Sequence, residues 1–491
     1  MINENNYYLI LEFIYLRSVV MKSLDVSAFF AQNATLPFKD RWAVMPLQAS
    51  IPLSPHEVTS QWDIIQSTPL NGKKRLIYIH IPFCDIHCQF CGFYQNPLRK
   101  FNTETYINYL LKEISLEINN TAMQSAPIHA VYFGGGTPSA LAAGQIARVI
   151  RYLKEHAPLA PDCEITVEGR ISDFDDDRVD SYIEAGANRF SIGVQTFNTE
   201  IRQRLGRESN EQQIISSFER IAARDSVALV CDLMFGLPNQ TTKTWQRDLE
   251  IVNELPLDGV DLYSLNLLPT TPLAKGVENK RIEIPSITDK SNFYHQGAEF
   301  LAKQGWVHLT NAHWAKNSRE RNLYNFLIKQ GSHFFAFGSC AGGRLGGQSF
   351  MIHRDLNQYY TQLDEGKKPI MMLTGKPVIG EWLYQLQAGI EKGRVDLTKL
   401  TEQYHLFAPL IKQWHQVGLL ENEDYCMRLT LSGRFWSSNI VQALQQLLLQ
   451  LNNPEYIEIQ KKMAQARQSM NSHPRVAKSN TEKSKHPHQI S

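Results

Sequence analysis

At 491 residues the chain is long enough to bury a large core and to divide into two or three domains. It is 43% hydrophobic and 20% charged with a formal net charge of +1, a balance that gives no general reason to expect a nucleic-acid partner. The seven cysteines are odd in number and three of them are grouped, which argues against a disulfide framework and for a metal site in a reduced compartment.

The apolar stretch at 7–20 is interrupted by Glu12 and Arg17 and has no basic region before it. It is too short and too charged to span a bilayer and makes a poor signal peptide, and Met21 offers an alternative start. Nothing later approaches the length of a spanning segment, so a soluble, cytoplasmic protein with no membrane association is expected. Residues 1–70 contain Pro37, Pro46, Pro52, Pro55 and Pro69 and read as an N-terminal extension.

From there short apolar runs alternate with helical patterns. The runs fall at 76–81, 130–133, 165–167, 190–194, 227–233 and 260–265. Thr103 is placed to cap a helix on which Ile107, Leu110, Leu111, Ile114 and Ile118 recur at three and four. Further helices fit 145–153, 177–185, 212–223 and 242–255. This alternation implies an α/β domain over 71–305, a parallel sheet with helices outside it. Periodicity alone leaves open whether the sheet closes. Cys84, Gly134–Gly136, Glu168, Gln195 and Asp232 all fall at or just past strand C-terminal ends, where such sheets build their sites.

A helix at 286–304 precedes a polar-aromatic stretch from Trp306 to Trp314. Residues 333–350, HFFAFGSCAGGRLGGQSF, then concentrate five glycines between apolar ends, and 306–374 reads as a glycine-rich substrate-site segment. Residues 375–455 are helical with a strand pair at 418–421 and 425–429 and a helix at 439–449, a winged-helix-like order. Glu421, Glu423 and Asp424 crowd the wing and disfavour a phosphate-backbone role. Residues 456–491 read as a basic disordered tail.

The sharpest chemical signal is YIHIPFCDIHCQFCGFY, in which Cys84, Cys88 and Cys91 stand at C-x3-C-x2-C directly after a strand. Three thiolates can hold one inorganic cluster and leave one iron open, whereas a structural zinc or an ordinary cluster needs four ligands. A zinc alternative would recruit His80 or His87. With Phe90 before the last cysteine, the motif is similar to the signature of the radical S-adenosylmethionine enzymes, which implies a [4Fe–4S] cluster whose open iron chelates that cofactor. In that chemistry an electron from the cluster cleaves the sulfonium to a 5′-deoxyadenosyl radical. Gly134, Gly135, Gly136 and Thr137 follow the second strand and let the backbone approach the methionyl amine. Glu168, Gln195, Arg207 and Asp232 are polar residues on the same edge. Asp232 lies between apolar neighbours, where an unpaired carboxylate is expensive and two ribose hydroxyls would suit it. Arg207 suits the methionyl carboxylate.

These stretches, with VYFGGGTPS, RFSIGVQTFNTEIRQRLGR, DLMFGLPNQT and LTLSGRFWSSNI, resemble the oxygen-independent coproporphyrinogen III oxidase superfamily over roughly residues 70 to 450. The resemblance implies a partial (β/α)6 radical SAM barrel with a C-terminal helical, winged-helix-like domain, and it supports Glu168, Arg207 and Asp232 as cofactor contacts. Glu168-Gly169-Arg170 departs from the Glu-x-x-Pro or Glu-x-Pro form common in that superfamily. CGFY, LPFKDRWAVMP, LTNAHWAKNSRERNLYN and FGSCAGGRLGGQSFM further resemble the haem-utilisation branch, the anaerobic haem-degrading radical methyltransferases. That branch implies haem as substrate, methyl transfer from S-adenosylmethionine (with room for two molecules), ring opening to a linear tetrapyrrole and release of iron. It also implies a flavodoxin- or ferredoxin-like electron donor and a tetrapyrrole reductase or haem carrier as a further partner. Arg319, Arg321 and Arg344 are candidates for propionate pairing, His313 for an axial ligand or proton donor, and Cys340 for a relay of hydrogen or methyl. The alternatives are propionate decarboxylation of coproporphyrinogen III and a haem-trafficking protein or chaperone.

Overall fold

In the computed structural model the described residues are 26–42, 50–376, 380–396, 404–423 and 426–452. The apolar stretch at 7–20, Met21, Asp424 and the basic tail lie outside them.

The alternation seen in the sequence builds six successive parallel strands: β1 (Arg75–Ile81), β2 (Ile128–Gly135), β3 (Leu159–Arg170), β4 (Arg189–Gln195), β5 (Ala228–Phe235) and β6 (Gly259–Ser264). β1 shows why they form. Ile77, Ile79 and Ile81 belong to the main hydrophobic core, while Leu76 and Tyr78 pack in a separate inner cluster with Ala130, Tyr132, Tyr324 and Phe334. Side chains alternate across a strand, so the two sets occupy opposite faces. The amphipathic helix Ala143–His156 shows the complementary pattern, burying Ile146, Val149, Ile150 and Leu153.

The sheet runs further than six strands. β7 (Val307–Thr310) and β8 (His313–Ala315) extend it antiparallel beyond β6. On the other edge β9 (His333–Phe337) pairs parallel to β1, and β10 (Gly342–Leu345), β11 (Gln348–Ile352) and β12 (Ile370–Leu373) follow antiparallel. The twelve strands run in the order β12-β11-β10-β9-β1-β2-β3-β4-β5-β6-β8-β7. Residues from 307 onwards therefore supply both edges of one sheet. β3 is also much longer than the apolar run at 165–167, because Leu159 and Glu164 before that run also pair with β2. The first long helix, Thr103–Glu117, is capped by the side chain of Asn102, which accepts from the N–H groups of Glu104 and Thr105. Thr103, expected as the cap, is its first helical residue.

The C-terminal part has helices Gly380–Lys392, Tyr404–Gln416, Leu431–Phe435 and Ser437–Asn452 around a small sheet, Arg394–Asp396, Cys426–Leu429 and Leu420–Glu423. Helix, strand, helix, strand pair and helix give the winged-helix-like order. Residues 26–42 strap onto it: Trp414 donates to the Phe29 carbonyl at 3.1 Å, and Phe38 meets Trp436 edge-on at 5.6 Å. No helix among the described residues is long and apolar enough to cross a membrane.

Candidate active site

β1 delivers the chain to the cysteine loop. Phe83–Cys84 pairs in parallel with Asn96–Pro97, closing the loop at its base. Within it the Cys91 N–H donates to the Cys88 carbonyl at 3.1 Å, the Gln89 N–H to the Leu205 carbonyl at 3.2 Å, and the Leu273 N–H to the Gln89 carbonyl at 3.0 Å. Cys84 and Cys88 are 7% and 8% exposed and Cys91 is half-buried. Burial pushes the Cys84 thiol up to about 11, against the pull of the Thr137 hydroxyl, which donates to its sulfur at 3.4 Å. Among the described residues no three His, Cys, Asp or Glu side chains are grouped closely enough to hold a single metal ion. A cluster is broader than an ion and takes each thiolate at a separate iron.

The glycine turn after β2 is built against this loop. The Gly136 N–H donates to the Ile81 carbonyl at 2.7 Å and the Thr137 N–H to the Phe83 carbonyl at 2.8 Å. A Cβ at Gly136 would lie 2.4 Å from the Phe83 carbonyl oxygen and 2.8 Å from that of Ile81. Gly135 has φ +111°, and a Cβ on it would strike the His80 ring at 2.5 Å. Gly134 lies beside the Glu168 carboxylate, 2.8 Å from where its Cβ would be. Gly136→Ala thus pushes on backbone and not on a side chain that can yield. It is expected to destabilise the fold by about 1–3 kcal/mol and to lower the iron bound per chain after cluster reconstitution. Gly144→Ala, at a helical position with open space around its Cβ, is the control and should change neither.

The inner face of the barrel carries the remaining candidates. Glu168 projects from the C-terminal end of β3, and burial raises its carboxyl to about 7, with the Tyr132 hydroxyl and the Arg207 charge drawing it back. Asp232 on β5 accepts from the Ser191 hydroxyl at 3.2 Å; burial, then the charges of Asp261 and Glu168, push its carboxyl up. Gln195 ends β4 at a bulge, with φ 73°. Arg207 donates to the Gly193 carbonyl at 2.7 Å and lies over the Phe90 ring at 5.7 Å, and its charge acts on Cys88 and Cys91. Its buried Nε has no partner. Cysteine loop, glycine turn, Glu168, Arg207 and Asp232 thus share one end of the barrel. Three half-buried or buried thiols, a backbone cradle closed to any Cβ and an orphaned guanidinium Nε fit a three-thiolate cluster with a carboxylate-bearing ligand.

At the same end the 338–340 turn comes over from β9. The Gly338 N–H donates to Glu113 at 2.7 Å, and a Cβ at Gly338 would strike the His80 carbonyl at 2.5 Å. Cys340, half-buried with φ 74°, places Sγ 2.7 Å from Oε1 of Gln95, just past the cysteine loop.

Four other sequence candidates sit elsewhere. His313 is fully buried on β8, with Nδ1 3.0 Å from Asp261 and Nε2 3.1 Å from Glu320. Both ring nitrogens face carboxylates, which removes it as an iron ligand and makes it the centre of an ion network with Arg189. Arg319 pairs with Asp225 at 2.6 Å and Arg321 with Asp162 at 3.0 Å, at the start of β5 and β3, the edge opposite the cysteine loop. Arg344 donates to the carbonyls of Ile328 and Ser332 and covers the Tyr384 ring at 4.0 Å, beside the start of β9. None of the three faces the cluster end, because a count of arginines cannot say which end of a strand they occupy. Sequence reasoning missed Asp261, Glu320 and Gln95, whose partners are distant in the chain. It also missed Arg170, whose signal was present: it is two residues from Glu168 and so on the same face.

The family model for the radical SAM superfamily matches residues 78–252. An anaerobilin synthase from Escherichia coli O157:H7 is 48% identical over 433 residues, covering 88% of this chain and 97% of its own length. The chain belongs to the radical SAM superfamily. A [4Fe–4S] cluster and S-adenosylmethionine are accordingly its cofactors. A haem chaperone HemW from Bacillus subtilis is 27% identical over 382 residues, covering 74% of this chain and 98% of its own. The solved coproporphyrinogen III oxidase HemN from Escherichia coli shares the fold, with a TM-score of 0.66 at 23% identity over 80% of this chain and 93% of its own.

Proposed function

We propose that the chain is a radical methyltransferase that opens the haem macrocycle without oxygen, leaving a linear tetrapyrrole and free iron. The observation that carries this reading is the contrast among relatives. Identity is 48% to the anaerobilin synthase across nearly its whole length, against 27% to the HemW chaperone and 26% to an oxygen-independent coproporphyrinogen III oxidase of Escherichia coli K12.

In this reading Cys84, Cys88 and Cys91 hold the cluster. The Gly134–Thr137 backbone and Arg207 orient the methionyl end of S-adenosylmethionine, while Glu168, Gln195 and Asp232 take its adenosyl end. Together the bound cofactors supply a carbon-centred radical and a methyl group. Cys340 stands at the barrel mouth as the candidate to relay a hydrogen atom or the methyl group. The inner wall below is aromatic: Tyr132 stacks on Tyr324 at 4.1 Å and Tyr78 lies 6.0 Å from Tyr324. Such a wall suits a flat, apolar macrocycle and keeps water from the reacting centre. A flavodoxin- or ferredoxin-like protein supplies the electron, a tetrapyrrole reductase or haem carrier meets the chain at either end of the reaction, and the cytoplasm is its compartment.

The test offers reconstituted protein, under strict exclusion of oxygen, either haem or coproporphyrinogen III with S-adenosylmethionine and a reductant. Loss of the haem absorbance without carbon dioxide from coproporphyrinogen is expected. Decarboxylation of coproporphyrinogen alone would make the chain an oxidase, and haem retained unchanged at one per chain would make it a carrier.

A further inference from the structure

We propose that Arg170 binds a carboxylate of the substrate at the mouth of the barrel, an assignment that rests on the functional reading above. Arg170 is the last residue of β3, with Gly193 opposite it on β4. It shares strand parity with Glu164, Thr166 and Glu168, so it stands on the inner face at the cluster end. It is half-buried. Gly193 opposite has no side chain, and a Cβ there would lie 2.8 Å from the Gln195 amide nitrogen and 3.7 Å from the Arg207 guanidinium, so Gln195 and Arg207 border the space beside Arg170.

The charge of Arg170 reaches Cys84, Arg207 and Arg202. Three other arginines are answered. Arg189 meets Glu320 at 3.0 Å, Arg202 donates to the carbonyls of Val194, Thr196 and Ser209, and Arg344 to those of Ile328 and Ser332. The Arg170 guanidinium meets neither a carboxylate nor a carbonyl among the described residues, while its backbone N–H donates to the Ser139 hydroxyl at 3.1 Å. Two guanidiniums bordering one half-buried space repel each other, and Glu168, the acid beside them, is drawn on by Arg207, which leaves Arg170 calling for an anion. Arg207, tied to Gly193 and the cysteine loop, suits the cofactor's carboxylate. Arg170 is left for a second one, and a guanidinium binds a carboxylate through paired N–H groups. Haem carries two propionates, and Arg319, Arg321 and Arg344 lie away from this end. The alternative, that Arg170 only offsets the charge of the thiolate-bound cluster, makes a different prediction.

The experiment is an anaerobic absorbance titration of cluster-loaded full-length protein with haem and with haem dimethyl ester, whose propionates are uncharged. Arg170→Gln is expected to weaken haem binding by roughly 10- to 100-fold. Its affinity for the diester, its affinity for S-adenosylmethionine and the cluster absorbance should stay as in the unaltered chain. Arg170→Lys keeps the charge without the fork and should recover part of the haem affinity. Equal weakening toward haem and diester, a loss confined to S-adenosylmethionine, an altered cluster spectrum with unchanged haem affinity, or no change at all would each overturn the assignment. Failure of the unaltered chain to bind either porphyrin would overturn the functional reading, and this assignment with it.

Discussion

Cys88→Ala is expected to abolish haem turnover, with a loss of at least about 10⁶-fold, the low end of enzymatic acceleration. The size follows from how little redundancy the loop has. Cys84, Cys88 and Cys91 are the three proposed ligands for a cluster that takes four, and the next cysteine along the chain is Cys163. Cys163 and Cys231 are buried in the hydrophobic core and cannot replace a lost ligand without unfolding their strands. Cys88 is also the thiol that Arg207 touches, so its removal is expected to disturb the carboxylate site proposed at Arg207 as well. Iron and sulfide per chain, the cluster absorbance and haem consumption should fall together. Cys231→Ala is the control, with full cluster loading and a modest stability cost. Haem turnover by Cys88→Ala at even a hundredth of the normal rate would contradict the three-thiolate assignment.

The largest effect on stability is expected from Glu320→Ala. The Glu320 carboxylate is buried between Arg189, at 3.0 Å, and Nε2 of His313, at 3.1 Å, with Asp261 on the other side of the imidazole. Truncating it leaves Arg189 and His313 charged and half-answered in the core. Removing one partner of a buried ion pair costs about 3–5 kcal/mol, which for a domain of this size lowers the melting temperature by roughly 6–20 °C.

The same network sets a pH dependence. Burial alone would lower the His313 imidazole, but Asp261 and Glu320 outweigh it and hold it at about 9, above its ordinary 6.5. Its stabilisation is therefore complete below about pH 6.5 and is lost as pH rises through about 9. Burial likewise works to raise Glu320, and Arg189 with His313 hold it down at about 2, so its share is present above about 4.5 and is lost only in strong acid. Thermal melts across pH 6 to 10 (a window bracketing roughly these two His313 values) should show the alkaline loss in the unaltered chain and a flatter curve in Glu320→Ala. Equal melting temperatures for the two proteins at neutral pH would rule out the network as a stabilising element.

What the sequence made legible were features whose cause is local. Strand alternation in Arg75–Ile81, the three-cysteine spacing and the glycine turn each follow from neighbours within a few residues, and each stands where it was expected. The cap of the first long helix was misplaced by one residue because Asn102 and Thr103 are both capping types, and only the backbone shows which one is outside the helix. Pairings across the sheet were not legible. His313 looked like a ligand because its chain neighbours are aromatic, while the residues that hold it, Asp261 and Glu320, reach it through β6 and the turn after β8. Arg319 and Arg321 were misjudged for the same reason, since their acids, Asp225 and Asp162, stand at the far edge of strands distant in the chain. Arg170 is the converse case. Its place beside Glu168 could be read from strand parity, but that it lacks a partner could be read only from the fold.

This cysteine loop is proposed to serve methyl transfer coupled to opening of the haem ring. That role is tested most directly by the mass of the product formed anaerobically from haem and S-adenosylmethionine whose methyl group carries deuterium. A linear, iron-free tetrapyrrole carrying the labelled methyl is the predicted result. An intact macrocycle, whether bound haem or a decarboxylated porphyrin, would contradict the account, and so would a linear product without the label.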